Sequence, residues 1–231
     1  MKSLLAVFVL LVLIVPAAFA GGGKRSDEVQ RLQRAAEVFK EIMAIPDKAI
    51  PDDLLNQSEC IAIVPGLKKG ALGFGGKYGK GIVMCRKADR KWSAPSFITV
   101  EGGSVGFQIG FSQSDVVLLI MNRKGIDKLI GDKFTLGADA SVAAGPVGRT
   151  ANAQTNVRLD AEILGYSRAK GLFAGVSLEG ATLRQDQDNI RDFYGKEIDA
   201  RKILLEGTVP MPAEARPLAA ALAHESPRKQ K

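Results

Sequence analysis

The stretch KKGALGFGGKYGKG, residues 68–81, holds six glycines and four lysines. Glycine-rich backbone with lysine beside it is the material from which phosphate cradles are built. Two nucleotide fingerprints could use it, and both fail on identity. A GxxxxGK[ST] loop needs glycine where Ala71 stands and serine or threonine where Tyr78 stands. A dinucleotide fingerprint begun at Gly73 needs glycine at Tyr78 as well. The residues that follow, Gly81-Ile82-Val83-Met84-Cys85, read as a strand and not as a helix whose N-terminus could hold phosphate. The glycines are therefore assigned to tight turns, bulges or close approach between backbones.

Nucleophilic and metal chemistry are thinly supplied. The single histidine, His224, falls in a segment read as a tail, so a Ser-His-Asp or Cys-His site would have to recruit that tail. Cys60 and Cys85 lack further ligands at zinc spacing. Glu101, Asp115, Asp139, Glu162 and Glu179 lie in or beside predicted strands. Exposed strand faces and turn capping account for them more simply than a glycosidase-like pair. The expectation is a protein without catalytic activity, cofactor or metal.

Composition narrows the partners. The formal charge is +7, or +6 once Lys2 is removed with a leader, and it is scattered among interspersed acids. Residues 1–20 read as a secretory signal peptide: Lys2, an apolar run from Leu4 to Val15, Pro16, then Ala18-Phe19-Ala20. That run is too short for a bilayer span of about 20 residues, the alternative being a retained N-terminal anchor. The chain is expected to be exported, periplasmic or secreted, and peripheral to a membrane. There a basic protein meets lipid head groups and cell-wall polymers, not nucleic acid. In an oxidising compartment the isolated pair Cys60 and Cys85 reads as one disulfide, two buried free thiols being the alternative.

The elements that must position these residues are legible from periodicity. Residues 21–25 form a flexible lead-in. Val29, Leu32, Ala36, Phe39, Ile42 and Met43 recur at helical spacing, predicting an amphipathic helix over 26–44 with Ser26 as N-cap. It packs on its own domain or lies on a membrane surface. Residues 60–64 read as a short strand stopped by Pro65-Gly66. The segments 134–142, 158–166 and 172–179 alternate with a period of two, Leu172, Ala174 and Val176 being assigned to one apolar face. Residues 116–121 are apolar throughout and are expected to be buried on both faces. In PSFITVEGGSVGFQIGF the apolar parity changes from Ile98 and Val100 to Val105, Phe107, Ile109 and Phe111, predicting a β-bulge at Gly102-Gly103. Asn122 caps a helix over 123–130, and helices follow at 188–194 and 198–205. From Thr208 onward four prolines and a basic end predict a disordered tail, 208–231. The folded domain is thus expected over 26–207.

The segment YSRAKGLFAGVSLEG, residues 166–180, resembles the SYLF domain family of lipid-binding proteins. So do GGKYGKGIVMCR (75–86), WSAPSFITVEGGSVGFQIG (92–110), DVVLLIMN (115–122) and LGADASVAAGPVGR (136–149), in the same order. The resemblance runs from about Ala35 to Tyr194. It implies an α+β fold: an antiparallel, strongly bent sheet or partial barrel, flanked by an N-terminal amphipathic helix and C-terminal helices. It also implies binding of phosphoinositides and other anionic lipids, and, in some fungal members, binding and bundling of actin. For an exported chain without an SH3 module, actin is not expected as a partner.

Lys68, Lys69, Lys77, Tyr78 and Lys80 crowd the glycine-rich loop, Arg86 and Lys87 follow it, and Arg168 and Lys170 occupy the YSRAKG turn. Several lysines at about 1 kcal/mol each could hold a protein to an anionic surface. The candidate lipid-binding set is therefore Lys68, Lys69, Lys77, Tyr78, Lys80, Arg86, Arg168 and Lys170, with Leu72, Phe74 or Tyr78 at the acyl boundary. An envelope protein scaffold, or a carrier enclosing an apolar ligand in a sheet cup, are the competing classes.

Overall fold

The computed structural model describes residues 22–45, 49–72, 74–105, 110–148 and 161–226. The leader-like residues 1–20, Gly73, Phe107, Ile109 and the strand start at 158–160 lie outside them. So do the side chains of Leu72 and Phe74.

Helix α1 (Gly22–Met43) is followed by α2 (Asp52–Gln57) and four long strands: β1 (Cys60–Leu72), β2 (Phe74–Cys85), β3 (Ser96–Val105) and β4 (Gly110–Ile120). Then come α3 (Arg123–Leu129), β5 (Lys133–Thr135), β6 (Val142–Ala144), β7 (Ile163–Ala169), β8 (Leu172–Gly175) and β9 (Thr182–Gln185). The chain closes with α4 (Gln187–Tyr194), α5 (Ala200–Leu204), a 3-10 turn at Ala213–Ala215 and α6 (Arg216–Glu225). One nine-stranded sheet runs β5-β9-β3-β2-β1-β4-β7-β6, with β8 also on β7. It is strongly curled into a half-barrel, so the class is α+β. It is mixed, because β6 pairs with β7 in parallel.

β1 is central and continues through the Pro65-Gly66 position that reads as a stop. Val64 faces Val116 and Leu67 faces Ser114, so two β1 residues oppose the single Asp115 of β4. That is a β-bulge, the place where a sheet tolerates proline's missing N–H. Gly66 takes φ +64°, and its N–H donates to Asp115 Oδ1 at 2.9 Å. The bulge predicted at Gly102-Gly103 is absent. β2 and β3 pair in unbroken register from Phe74 opposite Val105 to Val83 opposite Ser96. Parity misleads there because residues 96–100 are buried on both faces while Gly103 is exposed. Phe111, assigned to the core by the same parity, is 70% exposed.

Three further expectations change. The alternating segment 134–142 is broken by a turn in which Gly137 has φ +87° and Thr135 N–H donates to Asp139 Oδ2 at 2.7 Å. β5 and β6 therefore lie at opposite ends of the strand order. In β8 the apolar face is inverted. Phe173 is buried and stacks on Tyr166, with ring centroids 5.7 Å apart, whereas Leu172 is exposed beside the Lys170-Gly171 turn. Finally, the described part of the predicted tail, 208–226, folds. Pro210, Pro212 and Pro217 precede or open α6, where proline suits the first helical turn, and Leu218, Ala221 and Leu222 are buried.

α1 begins at Gly22, so Ser26 lies inside it and is no cap. Its apolar side, with Leu32, Ala35, Val38, Phe39 and Ile42 buried, packs on β1, α4 and α6. Burial of each large side chain contributes roughly 1.5–3 kcal/mol, which places α1 on its own domain. Capping elsewhere follows the sequence: Asn122 accepts from Gly125 N–H at 3.0 Å, Asp186 accepts from Asn189 N–H, and Gly195 at φ +73° ends α4. Val116–Ile120 are buried as expected, while Met121, included in the same expected run, is only half-buried. Cys60 and Cys85 stand directly opposite in the β1–β2 ladder and form a disulfide.

Candidate functional site

Cross-strand register decides which loop cations share a face. Lys68 stands opposite Tyr78 and Gln113, and Tyr78 is opposite Glu101, so these four cross one face of the sheet. Lys69 stands opposite Lys77 and Ser112, and Lys77 opposite Gly102, on the other face. The four lysines of the opening stretch thus divide between two faces, because adjacent strand residues point in opposite directions.

These residues occupy the end of the sheet where β1 passes into β2. The next row on the Lys68 face is Gly103-Gly76-Gly70-Phe111, three exposed glycines and an exposed phenylalanine. A Cβ on Gly70 would meet only the Phe111 ring, at 3.8 Å, so the backbone lies open across three strands. The β7–β8 turn lies at the same end, since Arg168 is level with Asp115. Lys170 there lines a cavity of about 270 Å³ with Arg34 and Gln113, which connects it to the Lys68 row. Tyr78 at 47%, Phe111 at 70% and Leu172 at 77% exposure are three of the four large exposed apolar side chains among the described residues. Sequence reading missed Phe111 and Leu172. Their signal is local: an aromatic between Gly110 and Ser112, and a leucine directly after a Lys-Gly turn.

On the opposite face, burial and the neighbouring Lys69 charge lower the Lys77 pKa, while Lys77 Nζ reaches the Glu179 carbonyl at 3.1 Å. Two like charges directly opposite in a ladder disfavour each other and favour an anion between them.

Besides Lys77, three of the candidate cations are engaged in holding elements together. Lys80 Nζ lies 3.0 Å from Asn189 Oδ1 and 3.1 Å from Asp186 Oδ2, fastening α4 to β2. Arg168 bridges Asp115 at 2.8 Å and Glu41 of α1 at 2.5 Å. Arg86 is buried at the far end of β2, where it donates to the Ser58, Leu55 and Ser226 carbonyls. A candidate set read from charge alone thus includes three structural clamps.

The Lys80 clamp holds a titrating group. Glu28 is buried, ion-paired to Arg31, and near Lys80, Asp186 and Asp27. Burial pushes its pKa up to about 7, against the lowering effect of Arg31 and Lys80. The folded carboxyl then holds its proton more tightly than the unfolded one. Stability from this group is full below pH about 4.5 and is lost as pH rises through about 7. Urea unfolding at pH 5 and pH 8 is expected to show the native chain weakening over that interval. In Glu28→Gln this decline should be visibly flattened; an unchanged slope would rule out Glu28 as its source.

The family model Ysc84, described as "Las17-binding protein actin regulator", matches residues 101–225. The human SH3 domain-containing YSC84-like protein 1 is 38% identical over 192 residues, covering 80% of this chain and 56% of that protein. Its rat counterpart is 37% identical over the same coverage. LAS seventeen-binding protein 3 of Saccharomyces cerevisiae is 38% identical over 176 residues, covering 74% of this chain and 38% of that protein. The chain spans about half the length of the animal relatives it matches. The family description refers to actin, a partner that the leader-like residues 1–20 had argued against.

Proposed function

Because this chain belongs to the Ysc84 (SYLF) family, we propose that it is a non-catalytic attachment domain that binds anionic phospholipid surfaces through the free end of its sheet. One observation carries this reading: Tyr78, Phe111 and Leu172 are exposed at the end that also presents Lys68, Lys69, Lys77 and Lys170. Aromatic rings favour the head-group level of a bilayer, and lysines beside them add attraction to anionic lipid. The open glycine row lets this end approach a flat surface closely. A buried disulfide is what an oxidising compartment sustains, which supports a role outside the cytoplasm.

Vesicle co-sedimentation tests the proposal. Binding to phosphatidylserine-containing vesicles should exceed binding to pure phosphatidylcholine and should fall with salt. Lys69→Glu with Lys77→Glu should weaken it about 30-fold, from two lysine contributions of about 1 kcal/mol each. Phe111→Ser should weaken it further without changing the salt dependence. Equal binding to both vesicle types, unaltered by these substitutions, would eliminate the proposal.

The family description favours a second reading, attachment to an actin filament by the same end. Co-sedimentation with filamentous actin in the absence of lipid separates the two. Filament binding lost in Phe111→Ser, with no vesicle binding, would select it.

A further inference from the structure

At the other end of β2 a trough of about 600 Å³ opens between the β2–β3 connection and α6. Trp92, 4% exposed and with the Arg86 guanidinium 4.4 Å from its ring centre, closes the floor. Met211 and Ala219, half-buried, and Ala220 and Ala223, exposed, make the apolar walls. The rim is cationic: Lys87, Arg90 and Lys91 stand on it against one carboxylate, Asp89. That carboxylate is used locally. One oxygen accepts the Lys91 N–H at 3.0 Å and the other lies 3.5 Å from Lys87 Nζ. Among the described residues Arg90 and Lys91 are left without a salt bridge, so the rim stays positive.

Arg90 reaches the rim from strained backbone. The Lys87 N–H donates to the Lys91 carbonyl and the Arg90 N–H to the Lys87 carbonyl, each at 2.9 Å, which closes a tight hairpin turn. Arg90 takes φ +66°, the left-handed position that such a turn ordinarily gives to glycine. Strain of this kind persists where a side chain is used. Neither terminal segment outside the described residues complements the trough. Residues 227–231, which follow Ser226 at its edge, read PRKQK and carry the sign of the rim. Residues 1–21 hold no carboxylate side chain.

We infer that this trough docks an acidic amphipathic helix of a partner protein. Apolar side chains spaced i, i+3 or i+4, and i+7 fill the space between Met211, the Trp92 floor and Ala223, as in other helix-in-groove contacts. Small side chains at Ala219, Ala220 and Ala223 let the two helix axes approach to about 8 Å. Carboxylates on the flanks of the docked helix meet Lys87, Arg90 and Lys91. A helix pairs its own backbone groups, whereas an extended acidic strand would bring unpaired amides against the apolar walls. A small anion would leave those walls wet. Arg86 is about 30 Å along the strand from Lys77, at roughly 3.3 Å per residue. The trough is therefore separate from the sheet end proposed to meet phospholipid. A chain using both ends would hold an acidic partner at an anionic surface that repels it.

The probe is a fluorescently labelled, end-capped peptide of leucine and glutamate with its leucines on one helical face. Anisotropy with the full chain in lipid-free buffer should give a saturable isotherm that weakens with salt. The same peptide with lysine for glutamate, or with serine for leucine, should bind at least tenfold more weakly. Arg90→Glu with Lys91→Glu should weaken the acidic peptide at least tenfold and favour the lysine peptide instead. Ala223→Glu, at an exposed helix position, should weaken the acidic peptide by a similar factor. Arg90→Gly, which suits the turn, should weaken it about fivefold without lowering the urea midpoint, so the loss is not one of folding. Lys69→Glu with Lys77→Glu should leave the isotherm unchanged even though vesicle binding falls. The inference is overturned by the absence of saturable binding, by equal binding of the lysine peptide, or by indifference to the Arg90, Lys91 and Ala223 variants. Stronger binding after the chain is ended at Ser226 would also overturn it, since the trough would then seat the chain's own tail. Self-association abolished by Ala223→Glu would do the same in favour of a second copy. Loss of vesicle binding without loss of peptide binding in Arg90→Glu with Lys91→Glu would do so in favour of a membrane contact.

Discussion

Cys60→Ala combined with Cys85→Ala is expected to lower the free energy of unfolding by about 3.5 kcal/mol. That value is the chain-entropy estimate for a bridge whose cysteines are 25 residues apart. The bridge joins β1, which pairs on both sides, to β2, which carries the candidate surface. Both cysteines are fully buried, so the two alanines face the core and not solvent. Urea unfolding of the oxidised chain and the variant should show a lower midpoint for the variant. A loss below about 1 kcal/mol would mean that the bridge constrains little that β1–β2 pairing does not already constrain. Reductant without denaturant should act slowly, because the sulfurs become accessible only when the sheet opens.

The second large effect concerns Arg86, whose sequence position suggests a lipid contact. Arg86→Met keeps the side-chain length and removes the guanidinium. The Ser58 and Ser226 carbonyls, 3.2 and 2.7 Å from its nitrogens, would then lose this donor, while the Leu55 carbonyl keeps the Ser58 hydroxyl at 2.8 Å. Buried acceptors left unpaired cost roughly 1 kcal/mol each at least, so a loss of about 2 kcal/mol is expected. Ser226 follows α6 directly, so limited proteolysis should release the C-terminal helix earlier in the variant. Vesicle binding measured on the still-folded fraction should be unchanged. Reduced vesicle binding at native stability would return Arg86 to the membrane-contact set.

Much of the fold was legible because burial leaves a period in the sequence. The α1 repeat, the all-apolar 116–120 run, the Asn122 cap and the Gly195 stop each have a local physical cause. Reading failed where one local signal has two tertiary solutions. Pro65-Gly66 ends a strand or makes a bulge, and the choice rests on Asp115, 49 residues away, accepting the Gly66 N–H. Prolines after Thr208 mark a tail or the approach to a helix, and the choice rests on whether α1 offers Leu218 and Leu222 a place to be buried.

For the candidate surface the same division holds. The sequence by itself determined that lysines and glycines concentrate at 68–81, that this stretch cannot be a nucleotide loop, and that two cysteines are available to pair. Only the tertiary structure decided which cations remain for a partner. Lys80, Arg86 and Arg168 are consumed by Asp186, by backbone carbonyls and by Asp115 with Glu41, while Lys68, Lys69 and Lys170, and Lys77 with a single hydrogen bond to the Glu179 carbonyl, stay at the open sheet end beside Phe111 and Leu172. The physical reason is that charge is a property of a residue, whereas availability is a property of its neighbours. Those neighbours come from strands and helices that meet only when the sheet curls.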